Sequence, residues 1–418
     1  MTGYIQKINT TIPYTDKKVD IDLQGKNLII TGGNGCGKTN FLNHVFNYLQ
    51  NKIVQKNNPS IVDFDSQIRA FENAIDLHGK VHPDYPDWVQ KLSYYRQQKY
   101  DLLNPMVTIS NLENYLSNFD SRKALLTTFK AVREANIQGS SSAFSTTVLA
   151  DKEKAHPIFE TQPQTATLFE QYLVSYKTVQ AYAESPNIDN NPELAKKIKH
   201  WFEQLQNSLK SLFEDDTLEL KFESKLQTFL IKQAHKEPYR FQTLSSGYSS
   251  ILAVYAHLVT TIQLREITPN DVEGVVFIDE IDAHLHVSLQ RKIFSFLDES
   301  FPNIQFIVST HSPFVVASVS NAVIYDLSKL EQVEDLSMYS YESILEGLFG
   351  VSVSSDELIQ KVKELTDEAN KPDIDTEKLE SLISELRKTE TKLDSESLYF
   401  LESAQLSVLK AKAKSTDV

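Results

Sequence analysis

Apolar residues in this chain follow two rhythms. In the first, short and nearly unbroken runs stop at polar or acidic residues: KNLIIT at 26–31, GVVFI at 274–278 before Asp279 and Glu280, and IQFIVS at 304–309 before Thr310 and His311. Runs with no polar alternate suit strands buried on both faces, the habit of a parallel sheet. Alternating patterns over residues 4–8 and 18–23, with a polar turn at 14–17, predict an antiparallel pair leading into the first buried strand. Residues 217–223 and 228–233 read as a second pair, and 113–119 as a further strand. In the second rhythm, apolar residues recur at three and four. It predicts helices over 40–49, 165–184, 194–213 and 251–264, and along the tail at 340–369, 377–387 and 396–413.

The remaining stretches are less regular. Residues 57–97 are polar and rich in aromatics, with turns expected at Pro83 and Pro86. Residues 121–133 fit a helix, or a strand continuing from 113–119. A long surface loop is expected over 136–164, with its Ser/Thr run at 140–147 and two prolines. The turn SPNIDNNP at 185–192 makes 165–213 a helical hairpin, either an arm projecting from the domain or a pair packed flat on the sheet.

The stretch IITGGNGCGKTN at 29–40 joins a predicted strand to a predicted helix and matches G-x-x-x-x-G-K-[ST] in full. A loop that wraps phosphate oxygens with its own N–H groups needs φ > 0 and no intervening side chains, hence Gly32, Gly33, Gly35 and Gly37. The helix that follows turns its positive end to the same phosphates. Lys38 is placed to reach the β- and γ-phosphates and the Thr39 hydroxyl to ligate Mg²⁺. Asn34, Cys36 and Asn40 complete the loop's nucleotide-binding set. Tyr14, in the early turn, is a candidate to stack on adenine.

Asp279 and Glu280 end a buried strand. Asp279 would hold the Mg²⁺ shell beside Thr39, and Glu280 would polarise the attacking water, a task for a carboxylate near the metal but not bound to it. His311, at the end of the next strand, can contact the γ-phosphate and sense hydrolysis, and joins Glu280 and Lys38 as a candidate catalytic residue. LSSGYSS at 244–250 is a small-residue turn feeding a helix N-terminus, a second anion site.

Composition narrows the class. With 418 residues, 41% hydrophobic and 23% charged, the chain is globular, with core enough for two or three domains or one domain with insertions. A net charge of −14 argues against a surface coated in cations for indiscriminate nucleic-acid binding. The single cysteine, Cys36, excludes an internal disulfide and a cysteine zinc site, and its place in the loop reads as packing. No basic segment followed by an apolar run opens the chain, and no stretch nears about 18 consecutive apolar residues, so a cytoplasmic protein without a membrane span is expected.

Taken in order, GGNGCGKTN, LSSGYSS, FIDEIDAHLH and VSTHSP resemble the motifs of ABC-type ATPases of the RecF/SMC/OLD branch, over roughly residues 1–50 and 215–330. The resemblance implies an α/β fold: a P-loop ATPase head with a mixed sheet, a helical insertion and a helical C-terminal tail. Its expected divisions are an N-terminal lobe at 1–56, an insertion at 57–214, a C-terminal lobe at 215–335 and a tail at 336–418. It implies ATP and Mg²⁺ as ligands, and a head-to-head homodimer, extensible to higher oligomers, with two ATP molecules between the subunits. Ser245 and Gly247 would reach the partner's γ-phosphate, and Asp282 would lie in the loop linking the two sites.

The chain departs from that branch at Ser246 and Tyr248, where Gly or Asp and Gln or Glu are usual, which puts the hydrolysis rate and the dimer geometry in doubt. No clear Gln-containing loop is present, and Arg122, in the DSR at 120–122, is a candidate for its place. About 205 residues separate Lys38 from Leu244, too few for a long coiled coil. That points to compact relatives, the Septu PtuA-like and PARIS AriA-like anti-phage ATPases, which gate a separate nuclease or toxin. Slow ATP hydrolysis coupled to such an effector is the expectation. A RecF-like repair or replication ATPase that binds nucleic acid and a non-hydrolysing scaffold are the alternatives. Asp373 and Asp375 read as a helix cap rather than a metal site, and no nuclease activity is expected in the chain.

Overall fold

The computed structural model describes residues 3–155, 165–319, 321–333, 336, 339–350, 354–371, 375–390 and 393–416. The end of the expected loop at 136–164, both its prolines, and Asp373 lie outside these residues. In chain order, β1 (Ile5–Thr11), β2 (Lys18–Asp22) and β3 (Asn27–Thr31) lead into α1 (Lys38–Ile53). Then come α2 (Ile61–His78), α3 (Tyr85–Leu103), β4 (Val107–Ile109), α4 (Leu112–Asp120), β5 (Ala124–Phe129) and α5 (Thr146–Ala155). Helices α6 (Phe169–Glu184) and α7 (Pro192–Phe213), the hairpin β6 (Glu219–Glu223) and β7 (Thr228–Lys232), and α8 (Ser246–Leu264) follow. The last part of the first unit holds β8 (Glu273–Ile278), α9 (Val287–Gln290), α10 (Ile293–Ser300), β9 (Ile304–Ser309), α11 (Pro313–Ala317), β10 (Ala322–Asp326) and β11 (Glu331–Val333).

The chain divides into two units, Met1–Tyr341 and Glu342–Val418. Helix α12 (Tyr341–Gly347) starts on the last residue of the first unit, and the second continues with α13 (Asp356–Ala369), α14 (Thr376–Arg387) and α15 (Ser395–Thr416). The last three share a core that includes Leu365, Leu379, Leu386 and Leu401. Asp375 caps α14, its Oδ1 accepting from Lys378 N at 3.0 Å. Among the described residues no helix is long and apolar enough to cross a membrane.

In the first unit a six-stranded sheet runs β11-β10-β3-β9-β8-β5. All neighbouring pairs are parallel except β10 with β11. Every residue of β3 and β9 is buried, as their unbroken apolar runs require. Because β3, β9 and β8 are adjacent and parallel, their C-terminal ends share one sheet edge. That register brings together the loop after β3, the acids after β8 and the Thr-His pair after β9. Helix α1 buries Phe41, Leu42, Val45, Phe46 and Leu49 in a core shared with Ile5 and Ile8 of β1 and Phe277 of β8. Each such side chain withdrawn from water contributes about 1.5–3 kcal/mol.

Tertiary packing overrides the local pattern in three places and chooses between open alternatives in a fourth. Residues 113–119 lie in helix α4, not a strand. Asn111 caps it, accepting from Asn114 N at 3.1 Å, and Tyr115 is buried with its ring stacked on Tyr4 at 3.9 Å. The same apolar residues serve a period of 3.6 as well as one of 2, and Leu112, Leu116 and Phe119 join the core. Residues 57–97 hold most of the α2–α3 hairpin, stitched by Phe71 on Tyr95 at 5.8 Å and by ion pairs of Arg96 with Glu72 and Lys99 with Asp65. The expected loop at 136–164 contains α5, anchored by buried Leu149 and Glu153. For 165–213 the packed alternative fits better than a projecting arm: α6 buries every residue from Phe169 to Ser175 and meets α8 and the β6–β7 hairpin.

Candidate active site

The loop after β3 turns through glycines with φ of 132° at Gly32, 75° at Gly35 and 104° at Gly37. Gly33 lies outside that region, so its torsion does not demand glycine. At Gly32 a Cβ would come within 2.9 Å of Ser328 Oγ, so space and torsion both forbid a side chain. Gly37, left-handed, opens α1 with no side-chain cap, which leaves the first N–H groups of the helix to the loop. The buried Lys38 folds back over the loop, its Nζ donating to Gly32 O at 2.8 Å and Gly33 O at 3.0 Å. Cys36 is buried, its Sγ 3.7 Å from that ammonium. Asn34, Thr39 and Asn40 are exposed, as is the Tyr14 ring, which is 98% accessible.

The turn after β10 supports this loop from behind. Ser328 Oγ accepts from Gly33 N at 2.9 Å, and the buried Asp326 accepts from Ser328 N at 2.7 Å. Lys17 donates to Leu327 O and Cys36 O, tying the early turn to both. Asp-x-Ser after an apolar run is a readable turn signal, but nothing in the sequence links it to the loop.

Across the sheet edge, Thr39 Oγ1 donates to Asp279 Oδ2 at 2.8 Å and Ser309 Oγ to Asp279 Oδ1 at 2.5 Å. Glu280 N donates to Ser309 Oγ at 2.8 Å, and Glu280 itself is left-handed at φ 45°. Thr310 Oγ1 donates to Asp282 at 2.5 Å. Burial, with the Lys38 charge second, lowers the pKa of His311, while Asp282, Glu280 and Asp279 pull it upward. Thus Lys38, Thr39, Asp279, Glu280, Asp282 and His311, up to 273 positions apart, are gathered at one edge.

Arg133 was not foreseen. From the segment after β5, its Nη1 donates to Asp279 O at 2.8 Å and its Nη2 to Glu280 O at 3.2 Å and Ile281 O at 3.0 Å. Burial pulls its guanidinium down to about 10, with Asp282, Asp279 and Glu280 opposing, so it stays charged at neutral pH. By contrast Arg122, expected here, sits before β5 at the opposite edge. It pairs there with buried Glu153, which also binds Arg265 at 3.1 Å. A parallel strand carries the residues after it, not those before it, to the edge where Lys38 and Asp279 meet.

Ser245 and Gly247 lie elsewhere. They line a cavity of about 270 Å³ with Tyr248, His284 and His286, and no residue of the loop 32–39 borders it. A Cβ on Gly247 would stand 2.9 Å from His284 O, so glycine lets the start of α8 abut the turn after β8. The unusual Tyr248 stacks on Phe213, with ring centroids 4.2 Å apart and planes 1° from parallel.

Thr39 and Asp279 offer one hydroxyl and one carboxylate to a divalent cation, the hard oxygen donors that suit Mg²⁺ shared with phosphates. The carbonyl-bound ammonium, the left-handed glycines and the uncapped helix start suit an anion.

Residues 69–317 match the family model described as "AAA domain, putative AbiEii toxin, Type IV TA system". The chain is 35% identical over 153 residues to the "Retron Ec83 probable ATPase" of Escherichia coli, covering 34% of this chain and 28% of that protein. It is 28% identical over 179 residues to the "Septu protein PtuA" of Bacillus mycoides (strain KBAB4), covering 40% of this chain and 24% of that one. The match therefore spans only about a quarter of the length of these relatives. Among solved structures, an SMC head bound to the C-winged helix domain of ScpA overlays loosely, with TM-score 0.36, 16% identity, and coverage of 77% of this chain and 94% of that one. With more than half of its residues under the family model, the chain belongs to this AAA family.

Proposed function

We propose that the chain binds ATP with Mg²⁺ at the loop 32–39 and hydrolyses it slowly. Two copies close head to head around two ATP molecules, and the closure regulates a separate effector, a nuclease or toxin, in bacterial anti-phage defence. The observation that carries the reading is the hydrogen-bonded chain from Thr39 through Asp279 to Ser309 and the Glu280 main chain, which joins the phosphate loop to the two acids that follow β8. Similarity to proteins named as a retron ATPase and a Septu protein supports the defence setting. A cytoplasmic location fits such a substrate.

In this mechanism Lys38 exchanges its bonds to Gly32 and Gly33 carbonyls for phosphate oxygens, while the loop N–H groups hold the rest of the phosphate chain. Thr39 and Asp279 would hold Mg²⁺, which neutralises phosphate charge when bound. Glu280 takes the proton of the attacking water. His311 sits at the same edge, where burial and the Lys38 charge lower its pKa, and it contacts the γ-phosphate and senses its hydrolysis. Ser245 and Gly247 border a cavity apart from their own chain's loop, so they are available to a partner's γ-phosphate.

Two substitutions test this. Lys38→Ala should abolish ATP binding in an equilibrium assay. Glu280→Gln should keep ATP, slow phosphate release roughly 100-fold or more, and accumulate as a dimer by light scattering. Hydrolysis in Glu280→Gln at the wild-type rate, or turnover per chain that is independent of protein concentration, would remove the base or the dimer respectively.

A further inference from the structure

We propose that Arg133 is a positioning residue for ATP hydrolysis, clamping the main chain at 279–281 so that Glu280 keeps the left-handed conformation from which its carboxylate projects. The inference rests on the function proposed above. A non-glycine residue at φ 45° occupies a sparsely populated region and persists only when neighbours restrain it. Three hydrogen bonds hold Glu280. Its N–H is held by Ser309 Oγ at 2.8 Å, and its carbonyl accepts from Ala283 N at 2.9 Å and from Arg133 Nη2 at 3.2 Å. The same guanidinium also holds the carbonyls on either side, Asp279 O and Ile281 O. Only a rigid, planar fork of donors spans three successive carbonyls; an ammonium on a flexible stem cannot.

The arginine is itself preset, because Nη1 also donates to Lys130 O at 3.0 Å in its own segment. Fastening β5 to β8 does not call for it. Those strands already pair over six positions, and Asp279 N donates to Phe129 O just beyond them. A buried guanidinium is costly compared with an apolar side chain of similar size. Its contacts converge on the Glu280 turn, and that is where its effect should appear.

The test uses the full chain with ATP and Mg²⁺. Arg133→Met should lower kcat by about 10- to 100-fold, the usual consequence of misplacing a reacting group by about an ångström, with the ATP dissociation constant changed less than about threefold. Arg133→Lys should be nearly as slow, because charge without the fork does not restore the clamp. Added guanidinium ion should recover part of the rate of Arg133→Ala. In single-turnover measurements on Glu280→Gln, adding Arg133→Met should cost less than about twofold, since both act through one carboxylate.

Turnover of Arg133→Met within twofold of wild type would overturn the clamp. So would a multiplicative loss in the Glu280→Gln background, or a joint collapse of ATP affinity and melting temperature in Arg133→Lys. A wild-type chain that holds ATP without hydrolysing it would instead overturn the ATPase reading itself, and the clamp with it.

Discussion

The α6–α7 and α2–α3 hairpins of the first unit are similar in length, and they have opposite relations to the core. In α6–α7, helix α6 is buried over most of its first half, and the carboxylate of Glu170, fully enclosed, accepts from Thr228 Oγ1, Phe229 N and Gln242 Nε2. The far end of α7 grips the start of α8 through the Phe213 and Tyr248 stack. In α2–α3, helix α3 buries no residue and α2 only Phe64. Leu77 and Val81 near its turn are 79% and 96% exposed, and its stability comes from its own aromatic seam. Helix length says nothing about integration. What separates the two is whether an apolar face has a partner outside the hairpin.

The difference can be broken by experiment. Glu170→Ala strands two buried donors, Thr228 Oγ1 and Phe229 N, and should cost about 3 kcal/mol of unfolding free energy in urea titration; a loss below about 1 kcal/mol would mean that α6 is not anchored as described. Tyr248→Ala removes one aromatic stack and should cost about 1.5 kcal/mol by the same measurement. Replacing residues 61–103 with a short Gly/Ser linker should move the melting temperature of the remaining chain by less than about 3 °C in calorimetry and leave ATP binding intact. A large drop there would make the two hairpins equivalent and erase the comparison.

The glycine loop and the acids at the sheet edge were legible because each is local: the glycines, Lys38 and Thr39 follow one another, and Asp279 and Glu280 directly end an apolar run. Arg133 was not legible. It ends the stretch 121–133, which fits a helix or a strand alike, and its partners are backbone carbonyls almost 150 positions away, which have no signature in residue type. Arg122 was misplaced because its local pattern could not say which end of the strand met the nucleotide edge. Likewise ENYLSNF at 113–119 supports either period, and the stack of Tyr115 on Tyr4 decided for the helix.

By itself the sequence determined the strands buried on both faces, the phosphate loop, the acids that close the sheet edge and the helical tail, since these follow from burial period and from glycine's torsional freedom within a few residues. Only the tertiary structure decided which strands are neighbours, which hairpin joins the core, and which arginine restrains Glu280. Those outcomes depend on pairing between segments far apart in the chain, where the free energy belongs to the contact and to neither segment alone.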